Sequence, residues 1–99
     1  MVDAVLAVNR VHAFGSADEQ MSAELSTLID VFATLPGFRS ARAGRCIDQP
    51  DVWILSTEWE NVGTYRRALS SYAVKTGGHP VFVRIEDQPG AYEVLISTG

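Results

Sequence analysis

The first stretch of the chain is apolar on both of its alternating sides. Val2, Ala4, Leu6 and Val8 form one set, and Val5, Ala7 and Val11 form the other. A strand with two apolar sides is covered on both, as in the interior of a layered domain. The pattern therefore predicts a buried strand over Val2–Ala13.

After Phe14-Gly15-Ser16 the period changes from two residues to helical spacing. The apolar stripe of this segment consists of Met21, Leu25, Leu28, Ile29 and Phe32. Ser16 and Glu19 have the spacing of a capping box, which predicts a helix that begins at Ala17. Pro36-Gly37 ends the helix, because the residue before a proline disfavours helical geometry.

Two strand patterns follow the helix, over Phe38–Ile47 and Val52–Trp59. The second of them is rich in β-branched and aromatic residues, which are typical of strands. Only the turn Asp48–Asp51 separates the two patterns. So short a connection predicts an antiparallel hairpin.

A second helix is predicted from its N-cap, Asn61, to about Lys75, where Gly77-Gly78 stops it. Its apolar stripe consists of Val62, Tyr65, Leu69, Tyr72 and Ala73. Val81–Ile85 is a short apolar segment that fits a strand or a coil, and Ala91–Ile96 fits a final strand. The order βαββαβ predicts one ferredoxin-like α+β domain over residues 1–99, with an antiparallel sheet.

In this topology both helices lie on one face of the sheet, and the other face has no cover of its own. The first strand is apolar on both sides, and Val52 and Ile54 lie opposite Trp53 and Leu55 on the third strand. The uncovered face should therefore carry apolar surface, which monomers rarely expose in patches above a few hundred Å². We expect a homodimer in which the two sheets pack face to face.

The amino-acid composition limits which binding partners and which cellular compartment are expected for the protein. The net charge of −4 argues against nucleic acid or an anionic membrane as the main partner. No apolar run approaches the ~20 residues of a membrane span, and we expect no signal peptide, because the first residues lack a basic stretch followed by a long apolar run. The single cysteine, Cys46, excludes an intrachain disulfide and a cysteine-based zinc site. Together these features favour a cytoplasmic location.

Several motifs resemble the antibiotic biosynthesis monooxygenase family. They are Leu35-Pro36-Gly37-Phe38, Ser56-Thr57-Glu58-Trp59-Glu60, Tyr65-Arg66-Arg67-Ala68-Leu69 and Ala91-Tyr92-Glu93-Val94. The resemblance spans about Val5 to Leu95 and implies a dimeric α+β barrel. It also implies oxidation of a small aromatic or polyketide-type molecule with no metal and no other cofactor, in a pocket between the helices and the sheet.

The resemblance implies catalytic roles for Asn9, Asn61, Tyr65 and Tyr72. The two tyrosines would orient or polarise a phenol, and either asparagine would stabilise the resulting anion. An amide in an apolar strand also needs partners, which independently marks Asn9. The structural alternatives are a helix cap for Asn61, core positions for both tyrosines, and backbone or solvent contacts for Asn9.

Trp59, Arg66 and His79 are the candidate substrate-binding residues, with Trp59 as an aromatic wall and Arg66 as an anchor for an anionic group. The alternatives are packing in the core or at the dimer interface for Trp59, a solvated or carboxylate-paired side chain for Arg66, and a surface loop position for His79. Arg42 is predicted to share a strand face with Phe38 and Ser40 and to reach the pocket or the dimer interface. Two other functions stay open. One is a non-catalytic dimer that binds a small ligand, and the other is a haem-binding or haem-degrading monooxygenase.

Overall fold

The structure, a computed structural model, describes residues 3–99. Its elements are β1 (Val5–His12), α1 (Asp18–Phe32), β2 (Phe38–Arg45), β3 (Val52–Trp59), α2 (Val62–Ser70), α3 (Tyr72–Gly77), α4 (His79–Phe82) and β4 (Ala91–Glu93). The strands form one antiparallel sheet in the order β2-β3-β1-β4. The α+β ferredoxin-like fold and the β2–β3 hairpin are confirmed.

Helix α1 buries the predicted stripe, with Met21, Leu25, Leu28 and Phe32 all in the core. The predicted capping box does not form. The helix begins at Asp18, one residue later than expected, and the N-cap Ala17 has no side chain that could bond the first turn. Instead, the carboxylate of Asp18 pairs with Arg45 at the end of β2.

The predicted second helix is not continuous to Lys75, because the chain leaves helical geometry at Ser71. This residue has ψ 144°, and its hydroxyl accepts a hydrogen bond from the backbone N–H of Val74 at 3.2 Å. Ser71 thus ends α2 and caps a new helix, α3. The break changes the helical phase, so Tyr72 is 82% exposed instead of lying on the buried stripe.

Four other segments also differ from the sequence prediction in type or in bounds. Val81–Ile85 is neither a strand nor a coil throughout, because Val81 and Phe82 belong to α4, which starts directly after Gly78. The hairpin strand β2 ends at Arg45, and the last strand ends at Glu93. The first strand begins at Val5, and the predicted start at Val2 lies outside the described residues.

The two faces of the sheet differ sharply in character. Trp53, Leu55 and Trp59 of β3 turn toward the helices and are buried there with α1, Val74 and Val81. The strand register places another set on the uncovered face: Leu6, Val8, Arg10 and His12 of β1, Val52, Ile54, Ser56 and Glu58 of β3, and Tyr92 of β4. The most aromatic surface of β3 is therefore covered by the chain's own helices, and the uncovered face mixes apolar with charged residues.

A register shift in β2 separates Phe38 from the rest of its strand. It falls between Phe38 and Ser40, so Phe38 lies opposite Trp59, whereas Ser40 and Arg42 lie opposite Glu58 and Ser56 of the uncovered face. A bulge of this kind inserts one residue and changes which side the next side chains occupy. The prediction that Arg42 shares a face with Ser40 is therefore confirmed, and the prediction that it shares a face with Phe38 is wrong.

Candidate functional site

Trp59 is the centre of an aromatic cluster in the core. Its ring lies 5.4 Å from the rings of both Phe32 and Phe38, edge to face, and 6.3 Å from the ring of Tyr65. The indole N–H donates to Thr57 Oγ1 at 3.0 Å. With no exposed surface, the ring has no side open to a ligand, so the structure gives the predicted pocket-wall residue a packing role.

Asn61 caps α2 in a reciprocal arrangement with Thr64. Oδ1 of Asn61 accepts from the Thr64 backbone N–H at 2.8 Å, and Thr64 Oγ1 accepts from the Asn61 backbone N–H at 3.4 Å. This satisfies two backbone donors that a helix start otherwise leaves without partners. The cap interpretation is confirmed, and only the side-chain NH₂ of Asn61 is left to donate to another group.

Tyr65 lies one helical turn after Asn61 and is half-buried beside Trp59. Burial raises the pKa of the Tyr65 phenol above its ordinary value, and the charge of neighbouring Arg66 opposes part of this rise. The hydroxyl therefore stays protonated at neutral pH. A neutral phenol in that position is a hydrogen-bond donor and not a base.

The other candidates from the helical region do not join this group. Tyr72 is 82% exposed, Arg66 is exposed on α2, and His79 is the exposed first residue of α4. In the single chain, the side chains of these three residues are therefore exposed to solvent and do not enter a common site. Among the candidates, the structure brings together only Asn61, Tyr65 and Trp59.

Asn9 lies on the side of β1 that Val5 and Val11 also occupy, facing the helices, and it is also part of the lining of a cavity of about 320 Å³. The cavity opens where the uncovered sheet face meets the segment between α4 and β4. Its lining is formed by Val8, Asn9, Arg10, Ile54, Glu86, Gln88, Pro89 and Tyr92. This volume is at the lower end of the range for small-molecule pockets. The cavity thus contains one predicted residue and seven others.

The outer wall of the cavity is residues 84–90, which run along the edge of β1. Three backbone hydrogen bonds hold this segment: His12 N–H to Arg84 O at 2.9 Å, Glu86 N–H to Arg10 O at 2.9 Å, and Val8 N–H to Gly90 O at 2.7 Å. Gly90 packs so closely that a Cβ there would lie 2.6 Å from Asn9 Nδ2. The wall is preformed, because its backbone is paired along the strand.

Glu86 is the centre of a polar network on this wall. Its Oε2 accepts from Arg10 Nε at 2.9 Å and lies 3.2 Å from His12 Nε2, and its Oε1 accepts from Gln88 Nε2 at 2.7 Å. The hydrogen bond from Arg10 is the main cause that lowers the pKa of Glu86, and the bond with His12 adds to it. Glu86 is therefore ionised at neutral pH and holds Arg10 in one orientation.

Sequence reasoning missed Arg10, Glu86 and Tyr92 as site residues. Arg10 is separated from Glu86 by 76 positions, and no local motif links them. One signal was present: Arg10 and His12 are polar residues on the same side of an otherwise apolar strand. Two polar side chains close together on such a strand can share one partner of opposite charge on a neighbouring segment.

A second cavity, of about 280 Å³, lies between α1 and β2. It is lined by Ser22, Leu25, Ser26, Ile29, Ala41, Arg42, Ala43 and Trp53. This is a cleft between a helix and the sheet, where the resemblance places the pocket. Arg42, which was predicted to reach the pocket or the dimer interface, is part of this lining, whereas Asn9, Asn61, Tyr65, Tyr72, Trp59, Arg66 and His79 are not.

The described residues also bear on metal and membrane chemistry. Across residues 3–99, no three His, Cys, Asp or Glu side chains come together as a set of metal ligands. Cys46 is a half-buried free thiol at the end of the β2–β3 hairpin. In the same part of the chain, no helix combines the length and the apolar character needed to cross a bilayer.

Comparison with known proteins places the chain in a family. The model of the antibiotic biosynthesis monooxygenase family matches residues 4–78, and the chain belongs to that family. No curated protein sequence matches it.

Solved structures with the same fold are distant in sequence. SnoaB, a cofactor-independent oxygenase from Streptomyces nogalater, is 20% identical with a TM-score of 0.83, and 96% of each chain is covered. Protein SO0527 from Shewanella oneidensis is 14% identical with a TM-score of 0.77, covering 95% of this chain and 93% of that one. Rv0793 from Mycobacterium tuberculosis is 13% identical with a TM-score of 0.74, covering 98% of each. At these identities the similarity establishes the fold alone.

Proposed function

We propose that this protein is a homodimeric, cofactor-independent monooxygenase that oxidises a small aromatic or polyketide-type molecule. Membership in the antibiotic biosynthesis monooxygenase family supports the reaction class. The observation that carries the proposal is the position of Asn9, which lines a preformed cavity of about 320 Å³. The fold-related SnoaB is a cofactor-independent oxygenase, which agrees with this reaction class.

The substrate itself supplies the electrons in this chemistry. An anthrone-type CH₂ loses a proton to give a delocalised anion, and this anion attacks O₂ to form a carbon–oxygen bond. Loss of water from the resulting hydroperoxide leaves a carbonyl, so one CH₂ and one O₂ give one C=O and one H₂O. The protein has to hold the substrate and stabilise the anion, which requires hydrogen-bond donors in an enclosed site.

We assign donor roles to three residues, of which only Asn9 lines this cavity, while Tyr65 and Asn61 lie together near Trp59. The Asn9 amide would donate to the substrate oxygen on which the negative charge develops. Tyr65 would act as a neutral phenol donor, which its raised pKa favours. Asn61 has only its NH₂ group available, because its carbonyl oxygen caps α2.

The uncovered sheet face supports the dimer. Ile54 is 41% exposed and Tyr92 is 56% exposed, and Leu6 and Val8 lie half-buried between them on the same face. A second copy packed on this face would remove these side chains from water. Stable interfaces bury about 800 Å² per partner. Such a partner would also cover the mouth of the Asn9 cavity, which an oxygenase needs in order to exclude water.

Oxygen uptake tests the proposal directly. The purified protein is incubated with an anthrone such as dithranol, and O₂ consumption and quinone formation are followed without added metal or flavin. We expect turnover that falls at least tenfold in Asn9→Ala and remains unchanged in Gln20→Ala, an exposed amide on α1. Absence of O₂ uptake above the uncatalysed rate, or equal rates in Asn9→Ala, would contradict it.

Tyr72 provides a second discrimination. Because its side chain is 82% exposed in the single chain, Tyr72→Phe reduces turnover only if the dimer or the substrate brings the hydroxyl into the site. Unchanged turnover in Tyr72→Phe together with reduced turnover in Tyr65→Phe would assign the phenol role to Tyr65. Light scattering at micromolar concentration measures the dimer, and a monomer would contradict that part of the proposal.

A ligand-binding protein without oxygenase activity is the second candidate. The observation that favours it is that, of the residues predicted for oxygenase catalysis, only Asn9 lines the cavity, whereas Asn61, Tyr65 and Tyr72 do not. Under this alternative, the Asn9 cavity binds an aromatic ligand and no oxygen is consumed. Saturable binding of dithranol with no O₂ uptake would support it over the oxygenase.

A further inference from the structure

We propose that the solvent-facing side of α2 and α3 is a docking surface for an acidic segment of a partner protein. Arg66, Arg67 and Lys75 are the residues that bind its carboxylates. The two helices cover the side of the sheet that carries Trp53 and Leu55, opposite the face assigned to the dimer. A second copy packed on that other face leaves the docking surface open. The inference goes beyond the proposed oxygenase and does not depend on it.

The charges of the chain are unevenly distributed along the sequence. Residues 61–85 contain none of the 12 Asp and Glu residues, although they contain half of the 8 Lys and Arg residues. The rest of the chain therefore holds every acidic side chain, and the net charge is −4. A positive surface on an otherwise acidic protein attracts an acidic partner to one place and repels it elsewhere.

The three cations on α2 and α3 have no partner of opposite charge within the chain. Their side chains are exposed, and none of them forms an ion pair with a carboxylate among residues 3–99. By contrast, Arg10, Arg39 and Arg45 each pair with a carboxylate. Arg66 and Arg67 thus present unoccupied guanidinium groups, which suit the carboxylates of a partner.

Each of the two helices places an exposed apolar side chain one turn before a cation. Val62 precedes Arg66 on α2, and Tyr72 precedes Lys75 on α3. Residues at this spacing are neighbours on a helix surface. Val62 is 40% exposed and Tyr72 is 82% exposed. Tyrosine and arginine are enriched among the residues that contribute most to protein–protein binding, so the surface suits a protein partner.

The number of charges favours a protein over other acidic partners. Basic segments that bind anionic membranes contain clusters of about 4–8 Lys and Arg residues, whereas α2 and α3 together expose three. Nucleic-acid-binding domains are typically basic as a whole, whereas this chain has a net charge of −4. An acidic protein segment needs only a few carboxylates to match three cations.

NMR titration of isotope-labelled protein maps the surface. The probe is a helical peptide of Glu, Ala and Leu, and its control is the same peptide with Gln at every Glu position. We expect saturable binding of the Glu peptide, with the largest amide shifts within residues 62–77, and at least tenfold weaker binding of the Gln peptide. The affinity of the Glu peptide should fall as NaCl is added, because salt screens exposed charges.

Matched variants separate this surface from the effect of net charge. The double variant Arg66→Gln/Lys75→Gln should bind the Glu peptide at least fivefold more weakly. Gln20→Glu/Thr27→Glu changes the net charge by the same amount at exposed positions of α1 and should change the affinity less than threefold. Arg66→Lys keeps the charge and should stay within threefold of the native protein, which separates a lost charge from a disturbed helix.

Three results would overturn the docking surface. They are equal binding of the two peptides, the largest shifts outside α2 and α3, and equal losses in the two double variants. Binding to phosphatidylserine vesicles or single-stranded DNA in place of the Glu peptide would also overturn it. So would salt-dependent assembly beyond the dimer that Arg66→Gln/Lys75→Gln abolishes, because the occupant would then be a further copy of this chain. None of these readouts measures O₂ uptake, so failure of the oxygenase leaves this inference standing.

Discussion

Gly37 lies so close to Thr64 that a Cβ on Gly37 would be 2.4 Å from both Cβ and Oγ1 of the threonine. This contact joins the turn before β2 to the first turn of α2. The backbone carbonyl of Gly37 also accepts from the Glu60 N–H at 2.7 Å. The N-terminus of α2, which carries Asn61 and Tyr65, is therefore positioned by a residue that has no side chain.

Gly37→Ala is expected to lower the free energy of unfolding by about 2–5 kcal/mol, because left-handed geometry costs about 1–2 kcal/mol and overpacking about 1–3 kcal/mol. Gly37 has φ +84°. The matched control is Gly15→Ala, which has φ +81° but nothing within 4 Å of its Cβ. Denaturant unfolding compares the two, and equal losses would mean that the Thr64 contact has no energetic weight.

Asn61→Ala is expected to cost about 0.5–2 kcal/mol, because the cap of α2 loses its side-chain acceptor. Asn61→Asp keeps an acceptor for the Thr64 N–H and should retain most of the stability. If turnover of dithranol depends on the NH₂ group of Asn61, both variants lose activity. Recovery of full activity in the aspartate variant would assign Asn61 a structural role only.

Thr57→Val removes the acceptor of the Trp59 indole N–H while keeping the shape of the side chain. The donor is buried, so leaving it without a partner should cost about 1–3 kcal/mol. Thr57→Ser keeps the hydroxyl and loses a methyl group, which should cost about 1 kcal/mol. Chemical denaturation that finds the serine variant less stable than the valine variant would contradict the importance of this bond.

The phenol of Tyr65 should ionise at a pH above its ordinary range, because burial raises its pKa. The folded protein then binds this proton more tightly than the unfolded chain. The stability that it contributes is complete below pH ~10 and is lost as the pH rises through the folded pKa. Absorbance titration near 295 nm of the native protein and Tyr65→Phe should show the highest-pH component only in the native protein.

The Glu86 carboxylate should make residues 84–90 sensitive to acid. Its pKa is lowered, chiefly by the hydrogen bond from Arg10, so its stabilising effect is present above pH ~4.3 and is lost as the pH falls through the folded pKa. The thermal midpoints of native protein and Glu86→Gln should differ at pH 6 and converge toward pH 3. The exposed Glu19→Gln serves as control, and a constant gap across this range would contradict the role of Glu86.

The fold could be predicted because it depends on periodicity and on short turns. The alternating pattern of β1, the helical stripe from Met21 to Phe32 and the brief connection at Asp48–Asp51 each determine local structure. Asn61 was predicted as a cap, because asparagine is one of the residues preferred at the N-cap position of a helix. These signals lie within a few residues of each other along the chain.

The site was harder to predict because its parts are brought together by tertiary structure. The break at Ser71 depends on a serine that can cap as well as continue a helix, and it moved Tyr72 to the surface. The bulge after Phe38 reversed the face of Arg42. The ion pair between Arg10 and Glu86 depends on the position that residues 84–90 take along β1. This position cannot be inferred from any local sequence pattern.

The interruption at Ser71 divides the second helical region into two parts with independent helical phase. Because Ser71 is extended, α2 and α3 do not share one continuous helical rotation. The orientation of Val62–Ser70 to the sheet therefore does not depend on the number of residues in the turns that follow. Insertions or deletions after Ser71 can therefore change the α3–α4 cover during evolution without turning Tyr65 away from Trp59. Sequence variation in this fold can thus reshape one side of the domain while the other keeps its chemistry.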